Sequence, residues 1–260
     1  MDGVRGPGPR SAAWRLVLIT GLAGLAVAGC QATSSPGAAA SSPGAAAASP
    51  GPGFSVPGTH RTTRTYQISS PVGMVVVTGH AGNVTVTGSS GPGISVTEDA
   101  DYSKTPPVTT RTVSGSTLTI TYSCATQVVC GVAYTLEVPR NVTLQVTAAA
   151  GSIRLGGLAG IVTARANVGL INATGLTGAS VSLTTNVGGI SASFAAAPAT
   201  VQASARVGAI TLHVPGTTSY KVTANAHVGK ATVSVDQNAT SAHAITAATD
   251  VGAITIAASS

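Results

Sequence analysis

Glu98, Asp99 and Asp101 form the densest set of acids in the chain, in the run Thr97-Glu98-Asp99-Ala100-Asp101. Carboxylates at sites do two common kinds of work. Paired across a sugar they run glycoside hydrolysis, and gathered around a loop they hold calcium. Three acids on one short segment cannot face each other across a substrate, so a solvated turn is expected, with calcium capture as the alternative. The other acids of the mature chain are Glu137, Asp236 and Asp250, each alone. His60, His80, His213, His227 and His243 also stand alone, and no HExxH occurs. Serine is abundant without a GxSxG elbow. The run GGLAG at 156–160 reads as a turn, because no helix follows to bind phosphate. No catalytic residue, metal site or cofactor is expected.

Cysteine carries the stronger chemistry. Arg5, Arg10 and Arg15 precede or open an apolar run from Leu16 to Ala28, which ends Val27-Ala28-Gly29-Cys30. A basic start, a short apolar stretch and small residues at its end describe a secretory leader. The cysteine placed directly after them resembles the lipobox of bacterial lipoproteins. That resemblance implies that Cys30 becomes the new N-terminus and carries a lipid, tethering the protein to the outer face of the cytoplasmic membrane. An ordinary leader with a chance cysteine, or an uncleaved anchor, is the alternative. Cys124 and Cys130 flank Ala-Thr-Gln-Val-Val. In an exported chain such a pair favours a disulfide closing a hairpin. A metal site is the rival, but CxxC spacing is absent and no histidine is near in sequence.

Three segments organise the chain: a leader at 1–29, a linker at 30–63 and a domain at 64–260. The linker is nearly all Ala, Ser, Pro and Gly, which cannot bury enough apolar surface to offset ordering entropy, so disorder is expected. As a flexible coil it would reach roughly 30 Å from the membrane. Without the leader the chain holds ten basic and six acidic residues, a net charge of +4. The basic residues are scattered singly with no aromatic interleaving. That pattern excludes a nucleic-acid surface and allows weak attraction to an anionic envelope.

The elements that must position these residues repeat. Gly151, Gly169, Gly188, Gly208, Gly229 and Gly252 are spaced 18 to 23 residues apart. Around Gly208, Val201, Ala203, Ala205 and Val207 alternate with Gln202, Ser204 and Arg206, and Ile210 and Leu212 continue the alternation beyond it. The other five glycines carry the same frame, and an earlier unit around Gly82 fits it. Period-two alternation interrupted by glycine predicts a half-buried strand, a corner and a second strand. The fold class is therefore all-β: a parallel β-solenoid, β-helix-like, of about 20 residues per coil with a narrow aliphatic core. An antiparallel sandwich is the competing architecture. Between Gly82 and Gly151 the glycine frame lapses. Strands are expected there at Gly93–Thr97, Thr117–Tyr122 and Val132–Val138, elaborating or capping the N-terminal end.

One outward position gathers polar residues. Two residues before each corner glycine stand Asn167, Asn186, Arg206, His227 and Asp250. In a parallel solenoid they form a straight ladder with rungs about 4.8 Å apart, with Arg206, His227 and Asp250 expected on successive coils. A solvated ladder that blocks edge association is one reading. A shallow binding strip for a glycan or wall polymer is the other.

The serial units NVGLINATG, NVGGISAS, RVGAITLHV, HVGKATVSV and DVGAITI, behind an exported leader, resemble the bacterial family of unknown function DUF4097, a family named for adhesins. The resemblance spans about Tyr66 to Ala257 and implies a β-strand-repeat protein of the cell envelope. No catalytic residues come with it. The expected function is non-enzymatic: a lipid-anchored surface protein presenting a polar sheet face to a wall glycan or another envelope component. A glycan-active β-helix enzyme, and a carrier of lipids or small apolar ligands, are the alternatives.

Overall fold

The computed structural model describes residues 59–259. The leader, Cys30 and most of the linker lie outside the described residues. Nineteen strands follow. β1 (His60–Ile68) begins four residues before the Arg64 start read from composition. β2 (Met74–Ala81) and β3 (Val84–Ser89) make the first coil, followed by β4 (Ile94–Tyr102) and β5 (Val108–Ser114). Seven more coil-like pairs come next: β6 (Thr117–Ser123) with β7 (Cys130–Pro139), β8 (Thr143–Ala150) with β9 (Ile153–Gly156), and β10 (Val162–Val168) with β11 (Ile171–Leu176). Then come β12 (Ser180–Val187) with β13 (Ile190–Phe194), β14 (Thr200–Val207) with β15 (Ile210–Pro215), β16 (Lys221–Val228) with β17 (Ala231–Ser234), and β18 (Ala244–Val251) with β19 (Ile254–Ser259).

The first strand of each pair enters a nine-stranded sheet and the second a ten-stranded sheet. Within both sheets the coils stack in parallel and in register: Val162 pairs Val181, which pairs Val201, and Ile171 pairs Ile190, which pairs Ile210. This is the expected β-solenoid. Antiparallel pairing is confined to one end, where β4 joins β7, β1 joins β4 and β5 joins β6. The 94–140 segment thus caps the stack, and β6–β7 is itself a coil that lacks the glycine frame.

Coil order departs from chain order at both ends. The β2–β3 coil lies between β6–β7 and β8–β9. The last coil, β18–β19, lies between β14–β15 and β16–β17. A shared frame permits this, since every coil offers the same apolar phase to either neighbour. Burial favours it. The inserted coil contributes Ile245, Ile254 and Ile256, all at most 1% exposed, while β16 and β17 offer Val222, Ala224, Ala226 and Val233.

Glycine at the corner is a steric requirement. Gly208 sits at φ +152°, and a Cβ there would fall 1.8 Å from the Gly188 carbonyl oxygen. The same contact links Gly82, Gly151, Gly169, Gly188, Gly208, Gly252 and Gly229 in stacking order. Two buried threonines use these carbonyls: Thr185 Oγ1 donates to the Gly169 oxygen at 3.2 Å, and Thr249 Oγ1 to the Gly208 oxygen at 3.0 Å. These two buried hydroxyls are thereby satisfied.

Three expectations need correction. The valine before each corner glycine continues the inward phase in sequence, yet Val168, Val187, Val207, Val228 and Val251 are 45–57% exposed. The chain leaves the pleat at the glycine, and the opposite sheet no longer covers the side chain. The Glu98 segment is not a solvated turn but part of β4, with Glu98 itself 2% exposed. Cys124 and Cys130 are bonded, with Cα atoms 6.2 Å apart. They close the corner between β6 and β7, which belong to different sheets, rather than a hairpin.

Candidate functional site

The outer face of the nine-stranded sheet carries the expected ladder. Pairing of the flanking residues places Asn167 beside Asn186 and Asn186 beside Arg206. Arg206 then lies beside Asp250, and Asp250 beside His227. The order Arg206–Asp250–His227 corrects the expected Arg206–His227–Asp250, because the last coil is inserted. Asn186 Nδ2 donates to Asn167 Oδ1 at 2.7 Å. Among the described residues the one ion pair is Arg61 with Asp101 at 3.4 Å, so the Arg206–Asp250 neighbours do not meet within 4.0 Å. Next to this polar row runs the row of half-exposed valines, paired Val168–Val187–Val207–Val251–Val228. The corner thus presents one hydrogen-bonding row and one apolar row along the solenoid axis.

The acids of β4 divide by phase. Asp99 Oδ1 accepts from Thr63 Oγ1 at 2.5 Å, and Asp101 pairs with Arg61 on the outer face. Glu98 shares the inward phase of Val96 and Ala100. Tyr66 Oη donates to Glu98 Oε1 at 2.8 Å, while Glu98 Oε2 and Tyr134 Oη have no hydrogen-bond partner among the described residues. Arg111 stacks over the Tyr66 ring at 4.1 Å. Burial, reinforced by the hydrogen bond to Glu98 and its charge, pushes the Tyr66 hydroxyl well above the ordinary tyrosine range. Burial followed by the Glu98 charge does the same at Tyr134. The apolar alternation Ile94, Val96, Ala100 held the signal for this buried acid.

The cavity beside Glu98, lined also by Thr62, Arg64, Ala100, Pro106, Pro107 and Thr109, has a volume near 20 Å³. That is room for about one water. Three hollows of about 300, 240 and 170 Å³ lie on the outer faces, and none of these three is lined by a carboxylate. Among the described residues no three His, Cys, Asp or Glu side chains gather as a metal group. The five ladder residues therefore come together as a row, whereas the acids do not form a facing pair.

No family model matches the chain, and no curated protein matches it. Solved structures of bacterial proteins are similar over most of the domain. One is a putative cell adhesion protein from Clostridium sporogenes, 12% identical, covering 77% of this chain and 100% of its own, with a TM-score of 0.44. Another is a putative adhesin from Bacteroides fragilis, 15% identical, covering 77% and 97%, with a TM-score of 0.40. A third, from Parabacteroides merdae, is 11% identical with a TM-score of 0.34, covering 77% and 96%. At these scores the likeness decides nothing for this chain, whose fold rests on its own strand register.

Proposed function

We propose that this chain is a non-enzymatic, lipid-anchored surface protein whose solenoid presents flat polar faces to a wall glycan or another envelope component. The observation that carries the reading is the in-register stacking of parallel coils. It turns single outward residues into straight rows at about 4.8 Å spacing, such as Asn167–Asn186–Arg206–Asp250–His227. Extended polymers engage rows; small substrates call for enclosed pockets. The leader at 1–29 followed by Cys30 and the Ala/Ser/Pro/Gly linker support display outside the membrane, and the DUF4097-like repeat supports an envelope setting.

Cys30→Ser should move the protein from the detergent phase to the aqueous phase on phase partitioning, with the domain intact. Partitioning unchanged by the substitution removes the anchor from the reading. Native protein should co-sediment with isolated cell walls, and its failure to do so removes the envelope role.

A further inference from the structure

The 300 Å³ hollow on the outer face of the ten-stranded sheet is lined by Thr85, Thr87, Arg154, Gly156, Asn172 and Thr174, with the backbone of Val86 and Leu155 beneath. The corner glycines are imposed by a carbonyl that would collide with any Cβ. Gly156 has no such reason. A Cβ there would meet nothing nearer than Thr174 Oγ1 at 3.8 Å, and its φ lies outside the left-handed region. Its cross-strand neighbours on the two adjoining rungs are Thr87 and Thr174, so the column simply loses a side chain at this point. Gly156 ends β9 just before the bend at Gly157, and a glycine in a strand marks a bend, a bulge or a place where another molecule approaches closely.

What stands beside the gap is a cation. Arg154 lies two residues earlier on the same face, flanked on adjacent rungs by Thr85 and Asn172. Its exposed side chain has no ion pair or hydrogen bond among the described residues, and neither do the side chains of Thr85, Thr87 and Asn172. Thr174 Oγ1 is already engaged with the Leu155 carbonyl at 3.4 Å. The nearest acid in these columns, Glu137, sits one rung beyond Thr87. A guanidinium fork matches the two oxygens of a carboxylate. The hydroxyls and the amide around it match sugar hydroxyls, and the open floor over Gly156 suits a flat ring better than an acyclic chain.

We propose that this hollow binds the uronic-acid sugar of an acidic polysaccharide. The ring lies over Gly156, the carboxylate is held by Arg154, and the ring hydroxyls meet Thr85, Thr87 and Asn172. The chain continues along the row Asn172–Ser191–Thr211, whose rungs follow in register. This deepens the proposed function and rests on its premise that the sheet faces bind envelope glycans.

The test uses the full-length protein in detergent, with titration calorimetry against polygalacturonate, poly(glycerol phosphate) and a neutral mannan. Polygalacturonate should bind, more weakly as salt rises. Arg154→Gln should lower its affinity about ten- to a hundredfold, with Arg154→Lys between the two. Gly156→Thr, which restores the column's threonine, should lose binding equally while the unfolding temperature holds. No binding of polygalacturonate, equal binding of mannan, or affinity unchanged in Arg154→Gln and Gly156→Thr overturns the site. Preference for poly(glycerol phosphate) overturns the uronate. If cell-wall binding survives in both variants, this site falls and the surface reading stands. If the native protein ignores cell walls, the surface reading falls whatever polygalacturonate does.

Discussion

The two ends of the solenoid are finished in opposite ways. At one end β4 continues the ten-stranded sheet with reversed direction and β1 turns back beside it, while β5 reverses at the edge of the nine-stranded sheet. Beneath them Ile94, Val96, Leu118 and Ile120 are fully buried, and the Cys124–Cys130 bond closes the adjoining corner. At the other end β16 and β17 are the last strands of their sheets, and Val222, Ala224, Ala226 and Val233 are only partly buried. Two of the chain's three lysines, Lys221 and Lys230, stand on this final coil. Parallel stacking has no internal stop, because each coil is as good a template as the last. One end is stopped by turning the strands round under larger side chains. The other is stopped by placing the least apolar coil outermost and charging its edge.

That contrast predicts unequal tolerance to the same lesion. Gly208→Val puts a Cβ 1.8 Å from the Gly188 oxygen in the middle of the stack, and Gly229→Val puts one 1.9 Å from the Gly252 oxygen on the final coil. In the middle, relief requires coils on both sides to separate, and the loss should exceed about 3 kcal/mol. On the final coil, β16–β17 can lift away alone, and the loss should be about half as large. Denaturant midpoints of the two variants measure this. Equal losses would mean that the open end is as tightly held as the middle.

The capped end should answer to a different chemistry. Tyr66→Phe removes the donor to Glu98 Oε1 and leaves a buried carboxylate oxygen unpaired, at a cost of about 1–3 kcal/mol. The raised hydroxyls of Tyr66 and Tyr134 add a pH dependence whose sign follows from linkage. Above pH about 10 the unfolded chain releases these protons while the folded chain retains them, so stability falls as pH rises through the ordinary tyrosine value. Urea unfolding at pH 9 and pH 11 should show the loss, and Tyr66→Phe should shrink it. A slope identical in the native and Tyr66→Phe chains would detach Tyr66 from it.

Much of this was legible residue by residue. Alternation such as Val201, Ala203, Ala205 announces strands, and Gly208 announces a corner, because both are local requirements of backbone and packing. The exposed Val207 was not legible, since its place in the pattern is the inward one and only the geometry of the corner turns it out. Glu98 was readable in principle from its apolar neighbours two residues away on each side, but three acids within four residues resemble a turn. Gly156 hid in GGLAG, where the adjoining glycines do make a turn. Coil order was out of reach altogether. It depends on which of several interchangeable coils buries its larger residues, a global comparison of Ile254 and Ile256 against Ala231 and Val233 that no local pattern encodes.

The inserted coil can be read from charges alone, through a small effect. Arg206 and Asp250 stand on adjacent rungs, about 4.8 Å apart along the sheet. Asp250 and His227 are likewise adjacent, while Arg206 and His227 are separated by two rungs. Exposed charges on adjacent rungs that make no direct contact should couple by a few tenths of a kcal/mol at most, about 0.2–0.5 kcal/mol, and charges two rungs apart approach the Debye length of about 10 Å at 0.1 M salt. Double-mutant cycles should therefore give favourable coupling for Arg206 with Asp250. The cycle for Arg206 with His227 should give nothing measurable. Chain-order stacking would put Arg206 and Asp250 two rungs apart and would remove the coupling between them. The presence or absence of that one small coupling thus decides between the two stacking orders without any change to the core.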